Sequence, residues 1–113
     1  MAKIYSFDGS NIRCTNSETG EWSAIASNWR DVKAMTILNG ELIIAADTSI
    51  YGMNTSNGTS RTIAQNWRGI VSLHTDGTNL LVLAEGGWYR MDPTNASAKG
   101  LGEHALYYAS VVE

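Results

Sequence analysis

Residues 26–35 read ASNWRDVKAM and residues 64–73 read AQNWRGIVSL, so the triplet Asn-Trp-Arg recurs 38 positions apart within the same small and apolar surroundings. Self-similarity at a fixed period is the signature of repeat architectures and outranks any single-element reading. At this offset Ile12, Ile50 and Trp88 align, as do Asn16, Asn54 and Asp92, then Gly20, Gly58 and Ala96, then Ile25, Ile63 and Leu101. The register runs on without a gap through Asn28 and Asn66, Trp29 and Trp67, Arg30 and Arg68. It then passes through Val32, Ile70 and Tyr108, Met35, Leu73 and Val111, and wraps from Leu42 and Leu80 to Ile4. Three periods come to 114 positions and the chain has 113, so the sequence reads as three repeats cut inside a repeat. The approximate copies are 21–58, 59–96, and 97–113 completed by 1–20, within one unit spanning 1–113.

Every copy is β-like. Runs such as VKAMTIL, ELIIAA, SIYGMN and SRTIA are separated by NG, DT and TSNGT, and short β-branched or aromatic runs between such steps predict hairpins. The expected strands are 32–37 and 70–75 (A), 41–46 and 79–84 (B), 49–54 and 87–91 (C), and 60–64 (D). Ile4 to Phe7 is then a B strand and Tyr107 to Val112 an A strand. The one proline, Pro93, falls in a turn, where it removes no ladder donor. The fold class is therefore all-β: β-propeller blades of four antiparallel strands, about three per chain. A sandwich would also show short strands, but it needs no 38-residue register.

Propellers usually have four to eight blades, and an open stack leaves apolar faces and strand edges in water. Two copies about a two-fold axis would give six blades, so the sequence predicts a homodimer. Strand exchange would seal each junction, the A strand coming from one chain and the B, C and D strands from the other.

Composition narrows the function. The net charge of −3 and a pI near 5.3 come with scattered basic residues, which leaves no footprint for a phosphate backbone, so nucleic acid is not an expected partner. No apolar run approaches the roughly 18 residues of a membrane span, and MAKIYSFDGS lacks a secretory h-region. The expectation is a soluble, cytoplasmic protein, or one released without a signal peptide, that does not insert into membranes. Cys14 is the one cysteine, so no internal disulfide and no multi-thiolate zinc site can form.

His74, Asp47 and Glu85 raise the question of catalysis, but nucleophile, base and orienting group cannot be assembled from two histidines, His74 and His104. No His pair or dense Asp/Asn loop stands at ligand spacing. The reading is a non-enzyme without metal or cofactor. The triplets at Asn54, Asn57 and Asn95 match a glycosylation pattern, which turns rich in Asn, Ser, Thr and Gly produce by chance.

The stretches NWRDVKAMTILNGELIIAADTSIYGMNTSN and NWRGIVSLHTDGTNLLVLAEGGWYRMDPTN resemble blades of tachylectin-type propeller lectins, in which Gly-Trp or Asn-Trp precedes the inner strand. This chain departs from them in its shorter period and in GEHALYY, which replaces the Asn-Trp-Arg stretch in the third copy. The resemblance implies sugar sites between blades. Aromatic faces stack on sugar rings, and amide and guanidinium groups pair with hydroxyls. Asn28, Trp29, Arg30, Asn66, Trp67 and Arg68 are thus the candidate carbohydrate-binding residues. The competing role is structural: Trp wedging neighbouring sheets, Asn shaping the turn and Arg pairing an acid. The function expected is a multivalent glycan-binding propeller. The alternatives are an interaction or structural module of a virion, toxin complex or scaffold, and an engineered propeller fragment. The copies are diverged, Met53 and Met91 facing Thr15, which argues against idealised duplication.

Overall fold

Hydrophobic runs between Asn-Gly, Asp-Thr and Asn-Gly-Thr steps do form short antiparallel strands. The computed structural model describes residues 2–85, 87–101 and 112–113, and it contains three antiparallel sheets. The first holds β1 (Lys3–Phe7), β2 (Ile12–Asn16) and β3 (Trp22–Ala26). The second orders β4 (Val32–Leu38), β5 (Glu41–Ala46), β6 (Ser49–Asn54) and β7 (Ser60–Ala64) as a meander. The third repeats it with β8 (Ser72–Thr75), β9 (Leu80–Ala84), β10 (Gly87–Met91) and β11 (Ala98–Gly100). The expected B, C and D strands match to within one or two residues at their ends. The inner strand expected at 70–75 begins at Ser72, although the Val71 N–H still donates to the Leu83 carbonyl at 2.8 Å. Of the A strand expected at Tyr107 to Val112, all but Val112 lies outside the described residues, and Val112 carries no strand pairing.

The continuous apolar run ELIIAA explains the packing. Strand side chains alternate between faces, so a strand apolar at every position must be buried on both. Leu42, Ile44 and Ala46 join Ile12, Tyr5, Phe7 and Trp29 in a core between the first and second sheets. Ile43 and Ala45 join Ile50, Leu73, Leu80, Val82 and Met91 in a core between the second and third. Each fully buried side chain of this kind stabilises by about 1.5–3 kcal/mol, so the inter-sheet junctions hold the molecule together. Within the second sheet Glu41 of β5 takes a bidentate pair with Arg61 of β7, 2.9 Å on each arm, spanning β6. Gly52 leaves room for that carboxylate, which a Cβ at 52 would overlap.

The C to D turns show the repeat in atomic detail. The N–H groups of Gly20, Gly58 and Ala96 donate to the carbonyls of Asn16, Asn54 and Asp92 at 2.9, 2.8 and 2.8 Å. The same three side chains accept from the N–H groups of Glu18, Ser56 and Thr94 at 2.8 Å each. All three turns place their fifth residue in the left-handed region, at φ 77°, 74° and 62°. Glycine does this without strain, whereas Ala96 pays for its Cβ.

Candidate functional site

The Asn-Trp-Arg stretches form the two linkers between sheets, and both are built alike. Asn28 and Asn66 adopt left-handed backbone at φ 64° and 65°, a conformation asparagine tolerates better than most residues. That bend aims the next N–H backward: Trp29 donates to the Ser10 carbonyl at 3.0 Å and Trp67 to the Thr48 carbonyl at 2.9 Å, each in the preceding sheet's B to C turn. The following sheet answers from its own B to C turn. The Asp47 N–H donates to the Asp31 carbonyl at 2.9 Å, and the Glu85 N–H to the Arg68 carbonyl at 3.0 Å. Each linker is therefore pinned to both sheets by main-chain hydrogen bonds.

The indoles complete the wedge. Trp29 meets Tyr51 edge-to-face at 5.3 Å and 81°, and Trp67 meets Tyr89 at 5.1 Å and 87°. Edge-to-face pairs add about 0.5–1.5 kcal/mol beyond the area they bury. Both indoles are half-buried against the junction cores, while Asn28, Arg30, Asn66 and Arg68 are exposed. Neither Arg30 nor Arg68 has an ion-pair partner among the described residues, so the expected acid pairing is not found there. The six candidate residues thus form two separate, equivalent patches, one at each junction.

The residues considered for catalysis have structural positions. Asp47, at φ 53°, and Glu85 serve the linker clamps through their backbone. The His74 ring lies 5.9 Å from that of Trp88, and His104 falls outside the described residues. Cys14 is half-buried in β2. Among the described residues no cluster of three His, Cys, Asp or Glu could hold a metal ion, and no helix is long and apolar enough to cross a membrane. Asn54, Asn57 and Asn95 each spend their side-chain oxygen on a turn N–H, from Ser56, Thr59 and Ser97 at 2.8, 3.0 and 2.9 Å.

Two carboxylates are held below the usual carboxylate range. Asp8 accepts the Asn11 and Ser10 N–H groups at 2.8 and 3.0 Å and pairs with Arg13 at 2.9 Å, and the backbone bonds are the main cause. Asp76 accepts from Asn79 and Thr78 at 2.7 and 2.9 Å, with the same effect. Both stand in turns and neither faces a second titratable group of like charge.

A second surface was not foreseen. On the outward face of the first sheet the Arg13 guanidinium lies 3.9 Å from the Trp22 ring centroid, and Trp22 and Ile4 are 55% and 50% exposed. The repeat register held the signal. Ile4 occupies the position of Leu42 and Leu80, which are 1% and 0% exposed. Position 13 likewise corresponds to Tyr51 and Tyr89, the partners of the two wedging indoles.

No family model matches the chain, and no curated protein matches it in sequence. Among solved structures it is similar to the N-terminal domain of Nup159, at 13% identity and a TM-score of 0.68, covering 86% of this chain and 30% of that one. It is also similar to a chain in the S. cerevisiae assembly of a Dbp5 variant bound to Nup159 and Gle1. There the identity is 14% and the TM-score 0.66, over 88% of this chain and 30% of that one. The chain thus spans about a third of the length of the structures it resembles, and the likeness establishes the fold: propeller-like and all-β.

Proposed function

We propose that this chain is a non-catalytic assembly module, a run of propeller blades whose outward faces bind protein, and that its partner is a second copy. Two copies about a two-fold axis then complete a six-bladed ring, with an inner strand exchanged at each seam. One observation carries this reading: the position buried at both internal junctions, Leu42 and Leu80, is half-exposed as Ile4 on the outward face of the first sheet. An apolar face built like an internal junction fits another blade. Sedimentation velocity of the wild type and of Ile4→Arg tests it. The wild type should sediment as a dimer, and the variant as a monomer with unchanged far-UV circular dichroism. A variant that still dimerises would remove the outward face from the interface.

Carbohydrate binding at the linkers is a second reading. It is favoured by the exposed amide and guanidinium groups that flank a half-buried indole at two equivalent junctions. Weak sites repeated around a ring would gain from avidity on a polysaccharide. Titration of the dimer with a panel of monosaccharides, followed by Arg30→Ala and Arg68→Ala, tests this reading separately. Sugar binding lost in both variants supports it, and no binding to any sugar counts against it.

A further inference from the structure

Beside β1 lies a groove of about 310 Å³, between its free edge and the inner strand β4 of the next sheet. Ile4, Tyr5, Met35, Ile37 and Leu42 line it, and Lys3 stands at its end. Ile37, 41% exposed, points toward it from β4 on the same face as Met35, whereas Ile4, 50% exposed, borders it from the edge of β1 with its side chain on the outward face. In the second and third sheets the corresponding edge of the B strand is occupied: β4 pairs with β5 and β8 pairs with β9. The groove is the place of an inner strand that the described residues of the first sheet do not supply.

Building on the ring proposed above, we infer that this groove is filled by residues 110–113 of a second copy, added to β1 as an antiparallel strand in one defined register. Two internal sheets fix that register independently. In the second sheet Ala34 pairs with Ala45, Met35 with Ile44, Thr36 with Ile43 and Ile37 with Leu42. In the third, Ser72 pairs with Leu83, Leu73 with Val82, His74 with Leu81 and Thr75 with Leu80. Carried through the 38-residue repeat, both give the same answer: Ser110 opposite Phe7, Val111 opposite Ser6, Val112 opposite Tyr5 and Glu113 opposite Ile4.

Three further features fit this occupant. Ser110 stands one repeat, 38 residues, after Ser72 at the start of β8, so the segment opens the blade after the third sheet. In the ring, the second and third sheets stand between that place and the chain's own β1, and the groove it enters belongs to the partner. Ser110 and Val112 take the positions of Ala34 and Thr36, and Ala34 packs toward the following sheet, which in the composite blade is the side of Met35 and Ile37. Glu113 comes beside Lys3, an opposite charge at the groove's end. Main-chain pairing to an open strand edge supplies affinity, and alternate side chains in the groove supply the register.

Disulfide trapping reads the register directly. In a Cys14→Ser background, Ser6→Cys with Val111→Cys should oxidise to a covalent species at twice 12.3 kDa. Ser6→Cys with Val112→Cys, one residue out of register and pointing to the other face, should remain at 12.3 kDa. Native mass spectrometry of the reduced variants is run alongside. A reduced dimer that cross-links in neither pair, or only in the offset pair, overturns the inference and leaves the ring standing; a protein monomeric throughout overturns both. Should the cysteine variants misfold, deletion of residues 110–113 reads the same point. Loss of the dimer with unchanged far-UV circular dichroism is expected, and a dimer that persists contradicts the inference.

Discussion

The junction between the second and third sheets and the outward face of the first are the same surface in different company. At the junction Leu80 is fully buried, Tyr89 receives the edge of Trp67, and the linker is held from both sides by backbone bonds. On the outward face the equivalent positions are Ile4 and Arg13, and Trp22 stands where the other copies have Ser60 and Ala98. The apolar character of position 4 persists although Ile4 is half-exposed. The aromatic pair does not: the third copy has Ala105 where the others have Trp29 and Trp67. Repetition therefore sets the fold of each blade, while departures from it mark where the surroundings of a blade differ.

The largest expected effect tests the equivalence of positions 42 and 4. Leu42→Ala should lower unfolding free energy by about 2–5 kcal/mol at any protein concentration. Ile4→Ala should cost no more than about 0.5 kcal/mol in dilute protein, with a loss that grows as concentration rises and the face is covered. Urea titrations at two concentrations a hundredfold apart compare them, and an Ile4→Ala loss independent of concentration would break the comparison.

Next come the indoles. Trp29→Ala and Trp67→Ala should each cost about 2–4 kcal/mol, because each removes a half-buried wedge and its edge-to-face partner. Similar midpoints for the two variants are expected, since their geometry repeats. A variant of full stability would mean that the indole is held for a ligand and not for packing.

The C to D turns sharpen the comparison at smaller scale. Gly20→Ala should cost about 1–2 kcal/mol for left-handed backbone alone, its Cβ meeting nothing within 4 Å. Gly58→Ala should cost more, because its Cβ would stand 2.5 Å from the Ile25 carbonyl oxygen of the first sheet. Ala96→Gly should stabilise by about 0.5–1 kcal/mol through relief of the same strain. Thermal unfolding of the three variants orders them, and equal losses at 20 and 58 would show that the sheet contact at Gly58 is immaterial.

The smallest effect is on acid stability. Asp8 and Asp76 have folded values below the ordinary carboxylate range, so their contribution is present above that range and is lost as pH falls through the lowered values. Asp76→Asn should accordingly flatten the acid limb of a Tm-versus-pH curve. An unchanged acid limb would remove the turn carboxylate from the stability balance.

Much of the fold was legible because its determinants are local and recur. Asp92 falls in MDPTNAS, a turn by its own residues, and the continuous apolar run ELIIAA demands two buried faces. The linker residues were located correctly as blade boundaries. Their chemistry was less legible, since an indole that wedges and an indole that binds a sugar ring are written with the same letter, and the choice depends on Tyr51 and Tyr89, 22 positions further along the chain. The outward face required knowing which way position 4 points, which follows only when Leu42 and Leu80 are seen to face the preceding sheet. Left-handed Ala96 could be aligned with Gly20 and Gly58 in sequence, yet nothing in the letter Ala announces that backbone.

The most direct measurement is the native mass of the unmodified protein across a dilution series. Closure of two half-rings predicts a single species at twice 12.3 kDa that gives way to the 12.3 kDa chain only on dilution. A 12.3 kDa monomer at every concentration would contradict the closed ring and leave the outward face of the first sheet to another partner.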